Sequence, residues 1–141
     1  MSEGFAPIFL VFSTDGDIDQ NDSLYIKKIM AGRTYNVTKT IQQTLDVFPF
    51  LYASIAMRFH AGVLSCVHES PCIHISYGPK NEELVSLLDA DHLNIQPNEL
   101  SLAIFQDMWH TLTRRYDDEV ARLKERNNYI KTALKHSLET L

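Results

Sequence analysis

Two short clusters of residues are suited to chemistry on an anion: Arg58 with His60, and Ser76-Tyr77 with Lys80. Each cluster follows a predicted strand and stands at the beginning of a predicted helix. Ligands bind outside the carboxyl ends of the strands in open α/β sheets, where helix N-termini offer N–H groups to anions. Arginine can clamp an anionic group, and histidine can exchange protons near neutral pH. The pattern therefore predicts half of an anion-binding site.

A purely structural role for these residues is the competing interpretation. On spacing alone, His60 could equally be an ordinary histidine and Arg58 a surface charge. A cation in the first turn of a helix opposes the helix dipole, however, which disfavours a structural role and leaves an anion to compensate. Lys80 repeats this arrangement one βα unit later, and Tyr77 offers a hydroxyl. Ser13, at the end of the first predicted strand, would line the same edge.

Strands that alternate with helices must position these residues. Apolar or β-branched runs predict strands over residues 7–13, 34–37, 53–57, 72–77 and 92–95. Periodicity and capping residues predict helices over 23–31, from Thr38 or Thr40 to about Leu51, and over 59–68 and 81–88. This order indicates the α/β class, with a Rossmann-like open parallel sheet and helices on both of its faces.

The last forty residues differ in character from the rest. Helices are predicted over Asn98–Trp109 and Leu112–Leu138, the second highly charged with an apolar stripe that Asn127 interrupts. We therefore expect one domain over residues 1–97 and a helical tail over 98–141. The stripe would pack on its own domain, on a second copy in a homodimer, or on another domain.

Composition excludes several classes of function. A net charge of −5 argues against nucleic acid binding, and no apolar run is long enough to span a membrane. The N-terminus lacks a basic leader, so a cytoplasmic location is expected. Cys66 and Cys72 fall in segments predicted to be buried, and with His68 and His74 they do not make the geometry of a zinc site. No metal or cofactor is expected.

Residues 53 to 90 resemble the polysaccharide pyruvyl transferase family, specifically its C-terminal Rossmann-like half. The resemblance rests on Arg58-Phe59-His60-Ala61 with the small-residue helix that follows, and on the strand from Pro71 to Tyr77 with Lys80 after it. It extends more weakly over roughly residues 5 to 100. Members of this family have two Rossmann-like domains with the active site between them, and the resemblance covers only one of these domains.

The resemblance implies transfer of the pyruvyl group of phosphoenolpyruvate to a sugar or glycan as a ketal, in exopolysaccharide biosynthesis. His60 and Arg58 would be catalytic, His60 as the acid or base and Arg58 as an anion clamp. Substrate would contact these two and the residues that share their edge, namely Ser13, Ser76, Tyr77 and Lys80. Activity would need a further N-terminal domain.

Two other functions are compatible with the same architecture, because a fold does not determine a function. The chain could be half of a nucleotide-sugar glycosyltransferase or epimerase, with Glu82 or Glu83 binding a ribose. Alternatively, it could be a non-catalytic domain that associates through its helical tail.

Overall fold

The computed structural model describes Phe5 and residues 8–10, 36–37 and 40–139. Ser13 and the predicted helix over residues 23–31 lie outside the described residues. The backbone divides into two compact units, Met1–Pro49 and Phe50–Leu141. The boundary that we place after residue 97 stays a prediction.

The first unit contains a pair of short parallel strands and one helix. Strand β1 (Ile8–Phe9) pairs with β2 (Asn36–Val37), with Ile8 opposite Asn36. Helix α1 (Ile41–Val47) begins after Thr40, whose side-chain oxygen accepts a hydrogen bond from the Gln43 N–H at 3.2 Å. Thr40 is thus one of the two residues predicted to cap this helix. A 3₁₀ turn over Phe48–Phe50 ends it, where Pro49 has no N–H to continue the α-helix.

The second unit is built on a three-stranded parallel sheet in the order β3-β4-β5. Its strands are β3 (Ser54–Ala56), β4 (Cys72–Ile75) and β5 (Asn94–Ile95), and its helices are α2 (Phe59–Val67), α3 (Pro79–Leu87), α4 (Leu102–Arg114) and α5 (Tyr116–Glu139). A 3₁₀ turn over Asp91–Leu93 leads into β5. Alternation of strand and helix through this unit confirms the predicted α/β class with a parallel sheet.

Apolar side chains pack on both faces of this sheet. On one face, Ile73 of β4 packs with Met108 and Leu112 of α4. Helices α2, α3 and α5 form a second cluster, whose buried members are Cys66, Leu84, Val85, Leu88, Ala90 and Leu123. Both faces of β4 are therefore covered, as expected for the central strand of a parallel sheet. Each fully buried side chain of this size contributes about 1.5–3 kcal/mol relative to an exposed one.

The boundary between the last two helices differs from the prediction. Helix α4 begins at Leu102 rather than at Asn98, because the Ser101 hydroxyl accepts a hydrogen bond from the Ile104 N–H at 3.3 Å. It continues to Arg114, since neither glycine nor proline interrupts it after residue 109. The break comes just before Tyr116, whose ring stacks on Tyr52 with centroids 4.1 Å apart. The Tyr116 hydroxyl also donates to the Tyr52 carbonyl at 2.9 Å, which anchors the start of α5.

Helix α5 packs on its own unit over its first half. Leu123 is buried, Asn127 is 5% exposed, and Ile130 packs against the cluster formed with α2 and α3. Leu134 and Leu138, further along the same stripe, are 60% and 72% exposed. The homodimer expected through this helix stays a prediction.

A buried carboxylate also holds α5 in place. Glu119 is 1% exposed and accepts hydrogen bonds from His92 at 2.8 Å and from Arg122 at 2.6 Å. Arg122 donates in turn to the carbonyl of Leu88, at the end of α3. Burial favours a raised pKa for Glu119, but the hydrogen bonds and charges of His92 and Arg122 outweigh it, and the pKa is lowered. Among the described helices, none is both long and apolar enough to cross a membrane.

Candidate anion-binding site

The turn from β3 to α2 carries Arg58 and His60. Arg58 is the N-cap residue of α2, with an extended backbone and no side-chain capping bond, and its carbonyl accepts from the Ala61 N–H at 3.0 Å. The His60 and Phe59 rings lie nearly perpendicular to each other, with centroids 5.7 Å apart. Phe59 packs on the apolar cluster, whereas Arg58 and His60 are exposed. The structure therefore places both residues at the carboxyl end of β3, as predicted from the sequence.

Small residues let α2 lie close to the sheet. A Cβ atom on Gly62 would come within 2.8 Å of Leu84 Cδ2 and 3.1 Å of His74 Cε1. One turn further on, the hydroxyl oxygens of Ser65 and Ser54 lie 2.6 Å apart. These contacts fix the helix on β3 and β4, and with it the position of Arg58 at its N-cap.

The turn from β4 to α3 holds the second cluster. Tyr77 is 58% exposed, and Lys80 is exposed in the first turn of α3. Gly78 is the N-cap residue and has no side chain to cap the helix, and Pro79 follows it at the first helical position. A Cβ on Gly78 would meet no atom within 4 Å, so this turn opens onto space.

Ser76 lies in the same turn but faces inward. It is fully buried, its hydroxyl donates to Asn94 Oδ1 at 2.6 Å, and its N–H donates to the Ile95 carbonyl at 2.9 Å. These bonds join the end of β4 to β5. We therefore leave Ser76 out of the ligand-binding set proposed below and assign it the positioning of this turn.

A buried amide that the sequence analysis missed connects the two turns. Asn81 is 8% exposed, and its Nδ2 donates to the carbonyl of Met57 at 2.9 Å. Met57 immediately precedes Arg58, and Asn81 immediately follows Lys80. Proline is favoured at the first helical position, so Pro79 could have indicated that Asn81 lies inside the helix rather than at its start.

The end of β5 reaches α3 through a further polar contact. Gln96 Nε2 donates to Glu82 Oε1 at 2.8 Å, between exposed side chains. Glu82 therefore already has a partner within the chain, while Glu83 is exposed on the same helix. Together with the bond from Asn81 to Met57, this contact brings the ends of β3 and β5 to the first turn of α3, which itself follows β4.

The electrostatic character of this edge differs from that of the chain as a whole. The chain carries a net charge of −5, yet Arg58 and Lys80 stand where α2 and α3 begin. Helices α1 and α4, in contrast, begin with the capping side chains of Thr40 and Ser101. An anion at the edge would receive backbone N–H groups, the positive ends of two helix dipoles and two side-chain cations.

Among the described residues, this edge has neither a cluster of metal ligands nor an exposed thiol. Within the described ranges, no three His, Cys, Asp or Glu side chains gather as the ligands of a metal ion would. Cys66 and Cys72 are buried and unbridged, and burial raises the pKa of both thiols, which keeps them protonated. Arg58, His60, Tyr77 and Lys80 are thus the exposed predicted residues at this edge, and Ser13 lies outside the described part of the chain.

Comparison with protein-family models, curated proteins and solved structures finds no match to this chain. The structure itself defines a small mixed α/β domain with a parallel sheet. The resemblance to pyruvyl transferases rests on the residues quoted from the sequence and remains a prediction.

Proposed function

We propose that this chain binds phosphoenolpyruvate at the carboxyl edge of β3 and β4. In this proposal it is the Rossmann-like C-terminal half of a cytoplasmic polysaccharide pyruvyl transferase, which acts together with a second domain. One observation carries the proposal: two helices without capping side chains begin at adjacent strand ends, each with a basic residue, and the Asn81 amide joins their turns.

The ligand carries two anionic groups that can pair with the basic residues of the two turns. Phosphoenolpyruvate carries a phosphate and a carboxylate on adjacent atoms of a three-carbon unit, so two anionic groups lie a short distance apart. Arg58 can bind one of them with two parallel hydrogen bonds, and Lys80 can neutralise the other as a point charge. Tyr77 adds a hydroxyl donor from the same turn. Both helix dipoles favour the bound dianion over the empty site.

His60 would handle the proton in this reaction. The imidazole donates a proton to the methylene carbon of the enol, and positive charge develops at the adjacent carbon, to which a sugar hydroxyl adds. Phosphate then leaves with its bonding electron pair, and a second sugar hydroxyl closes the ketal. The two hydroxyl protons balance the reaction, since one restores the imidazole and the other leaves with phosphate. Histidine suits this exchange because its unperturbed pKa lies near neutral pH.

Calorimetric titration of the chain with phosphoenolpyruvate tests the proposal. Arg58→Gln should weaken binding by about 10- to 100-fold, because a hydrogen bond to a charged group is worth about 1.5–3 kcal/mol. Arg114→Gln is the matched control, since it removes the same charge from an exposed position at the end of α4 and should leave affinity unchanged. Equal affinity of the two variants would contradict the assignment of Arg58.

Titration with a UDP-sugar separates the alternatives. Binding of the UDP-sugar without phosphoenolpyruvate would overturn the proposal in favour of a glycosyltransferase or epimerase half. Binding of neither ligand would also overturn it and would favour an association domain. The NMR signals of the His60 ring locate the ligand, because they should shift with phosphoenolpyruvate while those of His110, exposed on α4, should not.

A further inference from the structure

We propose that Asn81 is the positioning residue of this site: its buried amide sets the spacing between the turn of Arg58 and the turn of Lys80. This inference rests on the proposed function, because it concerns how the same anion would be held by both turns. It assigns a role to a residue that neither binds the ligand nor takes part in proton transfer.

The position of Asn81 relative to the sheet explains why such a connection is needed. The pairing of β3 with β4 ends at Ala56 opposite His74, so the strand ladder does not extend to Met57 and Arg58. Pairing of β4 with β5 continues one residue further, to Ile75 opposite Ile95. The chain therefore leaves the sheet one residue earlier between β3 and α2 than it does between β4 and α3.

The Asn81 amide supplies the connection beyond the ladder. Its Nδ2 reaches the Met57 carbonyl at 2.9 Å across 24 residues of sequence, and the side chain is 8% exposed. Met57 itself is 49% exposed and belongs to neither apolar cluster, so packing of its side chain does less to hold the turn. The backbone N–H of Asn81 donates to Gly78 at 3.0 Å, which ties the same residue to the start of α3. One residue is thus bonded to both turns.

The chemistry of the contact defines suitable variants. Asn81→Leu keeps similar bulk but removes the donor, which leaves the Met57 carbonyl without this bond. Asn81→Asp keeps the shape and replaces the donor with a carboxylate oxygen that repels the carbonyl. An acidic residue in a first helical turn favours the helix, so Asn81→Asp provides a second variant if Asn81→Leu fails to fold.

The test compares two ligands that span different distances. Phosphoenolpyruvate, with two anionic groups, needs both turns at the correct spacing, whereas inorganic phosphate needs only one. We expect Asn81→Leu to lose about tenfold or more in affinity for phosphoenolpyruvate and to keep its phosphate affinity within about twofold. Asn81→Asp should lower the affinity for both ligands through its negative charge, and the affinity for phosphoenolpyruvate should fall by the larger factor. Met108→Ala is the control for lost stability, because Met108 is buried where α4 packs on the other face of the sheet, and it should leave the ratio of affinities unchanged.

The outcomes separate this inference from the proposed function. If the unaltered protein does not bind phosphoenolpyruvate, the proposed function fails and this inference fails with it. If the unaltered protein binds it and a folded Asn81 variant keeps the original ratio of affinities, only the positioning role is overturned. The positioning role is supported if the affinity for phosphoenolpyruvate falls relative to the affinity for phosphate in the Asn81 variants but not in Met108→Ala.

Discussion

The protein should lose stability as the pH falls from about 6.5 to 4, because His74 resists protonation in the folded state. His74 lies in the central strand β4 and is 5% exposed, with its ring against Gly62 of α2. Burial is the main cause that lowers the pKa of His74 from 6.5 to about 4, and the positive charge of Arg122 lowers it further. The folded protein therefore keeps this imidazole neutral through the mildly acidic range.

The sign and size of the effect follow from proton linkage. Below pH 6.5 the unfolded chain binds a proton at His74, whereas the folded chain does not until about pH 4. The unfolded state then binds more protons, so the free energy of unfolding decreases as the pH decreases. At about 1.4 kcal/mol for each pKa unit, the loss reaches about 3 kcal/mol at pH 4. That is a large part of the roughly 5–15 kcal/mol that stabilises an ordinary domain.

Urea unfolding between pH 7.5 and 4.5 measures this contribution. We expect the stability of His74→Leu to fall less steeply than that of the unaltered protein across the window, whatever the two values are at pH 7.5. His110→Gln is the control. His110 is exposed on α4, so its substitution should leave the slope of the free energy of unfolding against pH unchanged. Parallel curves for the unaltered protein and His74→Leu would refute the reasoning, as would a ring titration of His74 near pH 6.5 in the NMR spectrum.

Two further predictions concern how the helices are held. Glu119→Gln should lower the free energy of unfolding by about 3 kcal/mol, because removing one partner of a buried ion pair leaves the other uncompensated; Glu125→Gln, exposed on the same helix, should have little effect in the same urea assay. The lowered pKa of Glu119 also means that its contribution is present above pH 4.5 and is lost as the pH falls through the folded pKa. Gly62→Val should cost about 1–3 kcal/mol by overpacking against Leu84 and should weaken phosphoenolpyruvate binding by tilting α2. Gly78→Ala is its stability control, since the added Cβ meets nothing and the backbone is extended; equal losses for the two glycine variants would contradict the packing argument.

The local pattern of the sequence was sufficient to predict the βαβ unit around the site. Ser54–Ala56 and Cys72–Ile75 are recognisable as strands because each is short and carries β-branched isoleucine, and the small residues between them indicate a helix close to the sheet. Gly78 and Pro79 mark the next turn by their backbone properties alone. Since the carboxyl ends of parallel strands share one edge, the placement of Arg58 and Lys80 follows from this order.

Side-chain partners distant in sequence were not predictable in the same way. Ser76 turns inward to Asn94, 18 residues away, and Glu119 turns inward to His92, 27 residues away. Local spacing carries no information on such pairs, because they depend on which elements the fold brings together. A charged helix is ordinarily interpreted as solvated, so the buried carboxylate of α5 could not be distinguished from its exposed neighbours.

The distribution of charge at helix ends gives a physical reason to regard the α2 and α3 turns as functional. Helix α5 begins with an acidic turn over residues 117–119, and α4 has Arg114 in its last turn, so both follow the preference set by the helix dipole. Arg58 and Lys80 stand at the opposite, unfavourable end, where each basic residue costs about 0.3–1 kcal/mol. Glu82 is the acidic residue in the first turn of α3, and its carboxylate already accepts a bond from Gln96. A bound anion would complement the positive ends of both helices, which is the chemistry that the proposed function assigns to these turns.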